Sequence, residues 1–435
     1  MMRTLGWLGY QAACTAALGA SAPFFAARRG WAHYRPTLRG RRALGLGRGD
    51  GRPRLWVHAV SVGEVGVAAT LIRRLPESLP LVVTTVTPTG QAEARRLLGK
   101  RAEIAYLPFD LGPPVARFLE RFNPRGLILV EGDYWPLVLS RMAPRGPIAV
   151  VNGRLSDRAL SRQRPLGSVN GLFYSSVSAF GVQTAADRER LMALGVDPSK
   201  LRVTGNLKYD APEPPRREDL EALITRVAAG RPILLAGSTM EGEERAVLQA
   251  ADEVGGGDRA LVVIAPRHPE RWPAVAELLE QSPRGFARRS ELDEGEPGGR
   301  VDLVLLDSLG ELAGLYRLAT AAFIGGTLVE TGGHNPLEPA RFAVPTAVGP
   351  SMSNFRLIAE RFDDGGGWAR VASGADLGAV WNRWLRDGQA AREVGERGRE
   401  IVESNRGATA RTLELLEPLL ARPEWAGESA GRKIQ

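Results

Sequence analysis

The sequence predicts an α/β protein built from two doubly wound domains, each on a parallel sheet. Three observations carry this. Short apolar, β-branched runs alternate with helical patterns along most of the chain, as expected of strands buried on both faces and joined by helices. The alternation pauses once, at the Pro-rich and charged stretch Asp210-Ala-Pro-Glu-Pro-Pro-Arg-Arg-Glu218, and then resumes. The 435 residues are enough for two cores of ordinary size.

In the first half, strands are expected at 55–60, 81–86, 126–130, 147–151, 178–183 and 201–204, each a continuous apolar run. Helical patterns fill the spaces between them at 65–75, 91–98, 113–122 and 187–194. After the 210–218 break, strands are expected at 233–236, 260–265, 302–306, 321–324 and 344–348. Residues 283–301, rich in Gly and acids, read as a surface loop. The two domains so defined cover 31–209 and 210–425 and are expected to face each other across a cleft.

An arm of different character precedes them. Thr4 through Ala27 is free of charge over 24 residues, long enough to cross a bilayer. Ala20-Ser21-Ala22 resembles a signal-peptide cleavage site, but one Arg precedes the run and nine follow it before residue 55. Arginine-rich flanks stay on the cytoplasmic side and attract anionic headgroups. Residues 1–30 therefore read as an uncleaved anchor opening a basic arm, with the body at the cytoplasmic face of an anionic membrane. A buried helix, packing Phe24, Phe25 and Trp31 on protein, is the other reading. The chain's charge of +8 resides in this arm: residues 1–54 hold ten Arg against Asp50 alone, and the rest is within one charge of neutral. A nucleic-acid groove would need the charge on the body, which excludes that class. With one cysteine, Cys14, neither an intramolecular disulfide nor a cysteine metal cluster can form.

Doubly wound sheets bind ligands at the carboxyl ends of their strands, and unusual polar residues fall there six times: 61–64, 131–136, 152–154, 237–241, 266–268 and 325–338. Ser61-Val-Gly-Glu64 is also a capping box, in which Glu64 would only complete backbone hydrogen bonds, and Ser238-Thr-Met-Glu241 has the same form. Arg267 and His268 suit a helix cap or an anion equally. In Gly325-Gly-Thr-Leu-Val-Glu-Thr-Gly-Gly-His-Asn-Pro-Leu-Glu338, two glycine pairs bracket a loop leading to a helix expected to start near Asn335. Glycines let amides approach a phosphate, and a helix start attracts its charge. Glu338, one turn in, could accept hydrogen bonds from a nucleotide ribose. A tight turn with a capped helix accounts only for Asn335 and Pro336.

His58-Ala-Val-Ser-Val-Gly-Glu64, Val130-Glu-Gly-Asp-Tyr-Trp-Pro136, Gly205-Asn-Leu-Lys208, Ala236-Gly-Ser-Thr239, Ala265-Pro-Arg-His-Pro-Glu-Arg271, Gly332-Gly-His-Asn-Pro-Leu-Glu-Pro339 and Gly349-Pro-Ser-Met-Ser-Asn-Phe355 stand in this order. Together they resemble the successive motifs of the bacterial 3-deoxy-D-manno-octulosonic acid (Kdo) transferases, from the amino-terminal arm to about residue 360. The resemblance implies two Rossmann-like domains of the GT-B type, an acceptor-binding one over 31–209 and a donor-binding one over 210–425. It implies transfer of Kdo from CMP-Kdo to the lipid A precursor lipid IVA, with inversion. Glu64 would be the base and Glu131 a second important carboxylate. Lys208, Ser238, Arg267, His268, Gly325, Gly326, Asn335 and Glu338 would bind substrate, with Arg267 and the amides around Gly325 and Gly326 on the departing phosphate. No metal or cofactor is expected: the leaving group carries one phosphate, and no Asp-x-Asp motif is present. The family often reads Glu-Thr-Glu where this chain has Glu131-Gly-Asp133, which leaves open which carboxylate is the second one, and His where Met240 stands. A UDP-sugar epimerase or hydrolase on the same fold, or a membrane-tethered sugar-binding protein with an inactive site, are the alternatives.

Overall fold

The structure is a computed structural model that describes residues 10–12, 15, 16, 20, 31–255, 259–292 and 299–425. The chain forms two compact units. One comprises the chain up to Ala211 together with the return from Arg406, and the other Pro212–Asn405.

The first unit carries β1 (Arg54–His58), β2 (Leu81–Thr85), β3 (Glu103–Tyr106), β4 (Pro124–Val130), β5 (Ile148–Gly153), β6 (Ala179–Val182) and β7 (Leu201–Val203). They form one parallel sheet in the order β3-β2-β1-β4-β5-β6-β7. The order reverses between β1 and β4, the position where doubly wound sheets open a crevice. Alternate residues of the central strands enter cores on opposite faces. Trp56, Leu127 and Leu129 lie on one, where the Trp56 ring sits 4.4 Å from Phe118. Leu55, Val57 and Ile128 lie on the other.

The second unit carries β8 (Ile233–Thr239), β9 (Leu261–Pro266), β10 (Phe286–Arg288), β11 (Leu303–Leu305), β12 (Ala321–Ile324), β13 (Thr346–Val348) and β14 (Ala369–Arg370). This sheet is also parallel, in the order β10-β11-β9-β8-β12-β13-β14, with its reversal between β8 and β12. Phe323, Trp381 and Trp384 are fully or nearly fully buried in its core.

Three strands were not expected. β3 is half-buried and reads Glu-Ile-Ala-Tyr, β10 lies in the stretch read as a loop, and β14 has two residues. All three are at or next to a sheet edge, where burial on one side only removes the continuous apolar run that marks an inner strand. The end of the chain is also placed differently from expectation. The helix Ala408–Leu420 belongs to the first unit, where Leu416 and Leu419 fill the same core as Leu55 and Val57. Asp210 fixes the return by accepting from Gly407 N–H at 2.8 Å and Thr409 N–H at 2.5 Å.

Most of the expected anchor over 1–30 lies outside the described residues. Among the described residues, no helix is long and apolar enough to cross a membrane. Tyr10 donates to Asp110 at 2.6 Å, and Gly112 N–H donates to Gln11 at 3.0 Å, so this part of the run touches the first unit. The helix Trp31–Arg41 continues the basic arm. Two of its arginines serve the fold. The Arg41 guanidinium lies 4.5 Å from the Phe109 ring and 5.3 Å from that of Trp135, and buried Arg54 pairs with Asp50 and Glu103.

Leu416 is almost wholly buried in the first unit's core. Leu416→Ala should therefore destabilise that unit by about 2–5 kcal/mol. A denaturant titration would show a lower midpoint for the first-unit transition and an unchanged one for the second.

Candidate functional site

At the carboxyl edge of the first sheet, the chain leaves β1 through Ala59 and Val60 and enters the helix Val62–Ile72. The expected capping box does not form, because Glu64 bonds the amide of the residue before the N-cap Ser61. Glu64 accepts from Val60 N–H at 2.8 Å, while the Ser61 hydroxyl donates to Glu64 at 3.2 Å and caps no backbone amide. Burial pushes the Glu64 carboxyl above its usual range; the Val60 amide opposes this, and the charge of Glu131 adds to it. Gly63 and Gly66 flank the carboxyl. Neither has positive φ, and a methyl group on either would meet nothing within 4 Å. The fold does not demand glycine here, although each costs about 0.5–1 kcal/mol against Ala in a helix.

At the carboxyl ends of β4 and β5 two non-glycine residues take left-handed backbone, Glu131 just after β4 at φ 61° and Asn152 near the end of β5 at φ 54°. Such strain concentrates at functional sites. The Glu131 carboxylate receives Asn152 Nδ2 at 3.3 Å, Arg154 Nε at 2.9 Å and Lys208 Nζ at 3.3 Å. Asn152 also accepts from Leu207 N–H at 2.9 Å, which fixes the Gly205–Lys208 turn beside Glu131. The edge thus carries Glu64, Glu131, Asn152 and Arg154 where the alternation put them, and brings Lys208 to Glu131 as well.

Asp133 has a separate environment. Trp135 Nε1–H donates to it at 2.8 Å, and His58 Nε2 lies 3.4 Å from the same oxygen. His58 Nδ1 is 2.9 Å from Thr84 Oγ1, which itself accepts from Trp56 Nε1–H at 2.8 Å. Burial pushes the Asp133 carboxyl up, but the hydrogen bond and charge of His58, with Trp135 and Arg41, outweigh it and hold the group below its usual range. Site assignment from spacing missed His58 because its ring is fully buried at a strand end, where a histidine reads as core.

The second unit corrects several expectations. Ser238, at φ 58°, ends β8, but the following helix is Glu243–Glu253 behind a left-handed Gly242. Ser238-Thr-Met-Glu241 is therefore no capping box. The carboxylate in use is that of buried Glu243, which accepts from the amides of Met240 (2.8 Å), Gly326 (2.6 Å), Thr327 (2.9 Å) and Leu328 (2.9 Å). The Gly325 amide donates to Gly237 O at 2.8 Å. Both glycine amides expected at a phosphate are thus engaged within the protein. Glycine is needed there for close packing: a Cβ on Gly325 would lie 2.3 Å from Ser238 O, and one on Gly326, at φ 69°, would lie 2.9 Å from the His334 ring.

The helix expected near Asn335 is the four-residue Leu337–Ala340, too short for a useful dipole. Asn335 accepts from Leu337 N–H at 3.2 Å and donates to Glu338 at 3.1 Å. The other Glu338 oxygen has no hydrogen-bond partner among the described residues. Burial pushes this carboxyl up, against Asn335 and the charges of Arg341 and Arg267. Arg267 follows β9 and is exposed, and His268 beside it is half-exposed, 3.9 Å from Glu270. His334, in the Gly-Gly-His motif but not among the expected binding residues, has a buried Nε2 without a partner. Burial first, then Arg267 and His268, pull its imidazole down to about 4. The 349–355 motif braces this loop: Gly332 N–H donates to Ser351 Oγ at 3.0 Å and Asn354 Nδ2 to Thr331 O at 3.1 Å.

Comparison with known proteins follows the same motifs. Residues 27–211 match the family described as 3-Deoxy-D-manno-octulosonic-acid transferase (kdotransferase). The 3-deoxy-D-manno-octulosonic acid transferase of Haemophilus influenzae is 34% identical over 85% of this chain and 87% of its own. The chain belongs to the Kdo transferases. The Bordetella pertussis enzyme of the same name is also 34% identical, over 84% of this chain and 87% of its own. The protein is a Kdo glycosyltransferase of lipopolysaccharide biosynthesis. A UDP-GlcNAc 2-epimerase from Neisseria meningitidis superposes with a TM-score of 0.55 over 84% of this chain and all of its own. At 13% identity that likeness is one of fold.

Two outcomes follow from this geometry. Unfolded histidine takes up its proton near its ordinary 6.5, whereas folded His334 resists to about 4. Between those values the unfolded chain binds more protons, so His334 makes stability fall as the pH drops through that window. His334→Asn should flatten this acid limb in melting temperatures recorded from about pH 7 down to 4. Gly63→Ala, unopposed by packing, should raise the melting temperature through a gain of about 0.5–1 kcal/mol and lower turnover of the transferase.

Proposed function

We propose that this transferase moves Kdo from CMP-Kdo onto the lipid A precursor lipid IVA, by one inverting displacement with Glu64 as general base. The acceptor hydroxyl oxygen attacks the anomeric carbon of Kdo as Glu64 takes its proton. The bond from that carbon to the phosphate oxygen breaks, and CMP departs with the electron pair. One observation carries the assignment of the base. Of the three carboxylates at this edge, Glu131 has its charge taken up by Arg154 and Lys208, and Asp133 is held by His58 and Trp135. Glu64 pairs with no cation, and burial shifts it toward accepting a proton. Glu131 then serves to hold the cations beside Glu64, and Asp133, bound to His58 and Trp135, is the positioning carboxylate of the pair.

The first unit is the acceptor-binding one and the second the donor-binding one. Arg267 is the exposed cation for the departing phosphate, the unpartnered oxygen of Glu338 meets a ribose hydroxyl, and Asn335 orients it. Ser238 and His268 line the same edge, and Lys208 reaches substrate from the first unit's edge. Gly325 and Gly326 contribute room, since their amides are engaged. The run Thr4–Ala27 anchors the protein, and the arginines after it hold the body to the anionic cytoplasmic face of the inner membrane.

Glu64→Gln keeps an oxygen that can accept the Val60 amide and removes the capacity to take a proton. Turnover with CMP-Kdo and the lipid acceptor should fall about 10²–10⁴-fold, with a melting temperature close to wild type. Near-normal turnover would transfer the role of base away from Glu64.

A further inference from the structure

We propose that Arg154 is an anion receptor: its outer guanidinium edge binds an anionic oxygen group of a substrate, a carboxylate or a phosphate. Arg154 follows β5 in the Asn152-Gly-Arg154 cluster, which the expected site left unused. Its Nε meets Glu131 Oε2 at 2.9 Å, while the remaining N–H groups on its two terminal nitrogens have no partner among the described residues. The Arg154 side chain is 52% exposed and that of Glu131 only 10%, so the cation stands at the mouth and its anchor beneath it.

An ordinary surface pair would give no reason for the rest of the arrangement. Glu131 and Asn152 are both held in left-handed backbone, and Asn152 and Lys208 bind the same carboxylate oxygen. One carboxylate therefore carries two cations, and neither Arg154 nor the strained turns are needed to satisfy it. A guanidinium ion-paired at Nε leaves its two terminal nitrogens as a planar two-pronged edge, the geometry that matches carboxylate or phosphate oxygens in pairs. Glu131 is close enough to Glu64 for its charge to be felt there, so an anion on this edge lies beside the reacting groups. The inference rests on the Kdo-transfer reading for its ligand. The octulosonic acid supplies a carboxylate and a phosphorylated lipid acceptor a phosphate, and both present the same paired oxygens.

The test is steady-state kinetics of Arg154→Gln and Arg154→Lys in the full chain, each substrate varied in turn, with melting temperatures alongside. Arg154→Gln should raise one KM roughly 10–100-fold, matching the loss of a charge-assisted bidentate contact. Lys, which keeps the charge but not the fork, should recover it only in part. A rise for the CMP-sugar alone places the bound anion on the donor, and a rise for the lipid alone places it on the acceptor. Unchanged KM values in both variants, or a fall in kcat alone, would overturn the proposal and leave Arg154 a support for Glu131. If Arg154→Gln does not fold, Arg154→Lys decides, because it can still pair with Glu131. A wild type without turnover would instead sink the transfer reading. Arg154 would then be judged by calorimetric titration with inorganic phosphate, which must bind more weakly to Arg154→Gln if the fork receives anions.

Discussion

Where β8 and β12 end side by side, four backbone N–H groups converge on the Glu243 carboxylate, from Met240, Gly326, Thr327 and Leu328. Parallel strands that stop inside a protein leave amides with no ladder partner, and a buried amide left unpaired costs about 1–3 kcal/mol. Glu243 satisfies them internally. Burial pushes its carboxyl up, against the pull of those same amides. What depends on this is the division of labour at the edge. With these amides taken, the loop that starts at Gly325 is held at its beginning by the protein's own carboxylate, and exposed Arg267 is left as a cation at the same edge.

The first unit meets the same constraint with other carboxylates. Asp110 accepts from the amides of Leu137 and Val138 at 3.0 and 2.8 Å, and Glu64 accepts from that of Val60. Asp110 is buried and fully committed, bonded also to Tyr10. Glu64 is half-buried, has two bonds, and faces the charge of Glu131. A carboxylate that only satisfies amides and one left able to take up a proton thus differ in their surroundings and not in kind.

How much of this was legible follows from which interactions are local. The inner strands were legible because burial on both faces writes an apolar run into consecutive residues; β3, β10 and β14 were not, being short pieces at or near the edges. The positions of Glu64, Glu131 and Arg267 just after strands followed from the alternation alone. The partner of the Gly325–Gly326 loop did not, because Glu243 lies over eighty residues away in sequence and its neighbour Glu241 offered a familiar spacing to Ser238. The return of Ala408–Leu420 to the first unit was hidden for the same reason: an amphipathic helix shows that it packs, not against which sheet. His58 and His334 were visible as residues, but their surroundings come from strands and loops that the sequence does not order.

Residues that serve no folding purpose are the most informative marks of the site. Gly63 has ordinary helical backbone and open space around it, so its place in a helix lowers stability with no structural return. Glu131, Asn152 and Ser238 are the reverse, side-chain-bearing residues in backbone where glycine would be easier. Glu131, Asn152 and Ser238 sit at carboxyl ends of strands, and Gly63 lies in the helix that follows β1. Stability given up at four such positions is a sizeable part of the few kcal/mol by which a fold persists. It is tolerable only because both cores are deep, with Trp56, Trp381 and Phe323 wholly enclosed. The regular, deeply buried sheets are therefore what permit strained, glycine-thinned edges.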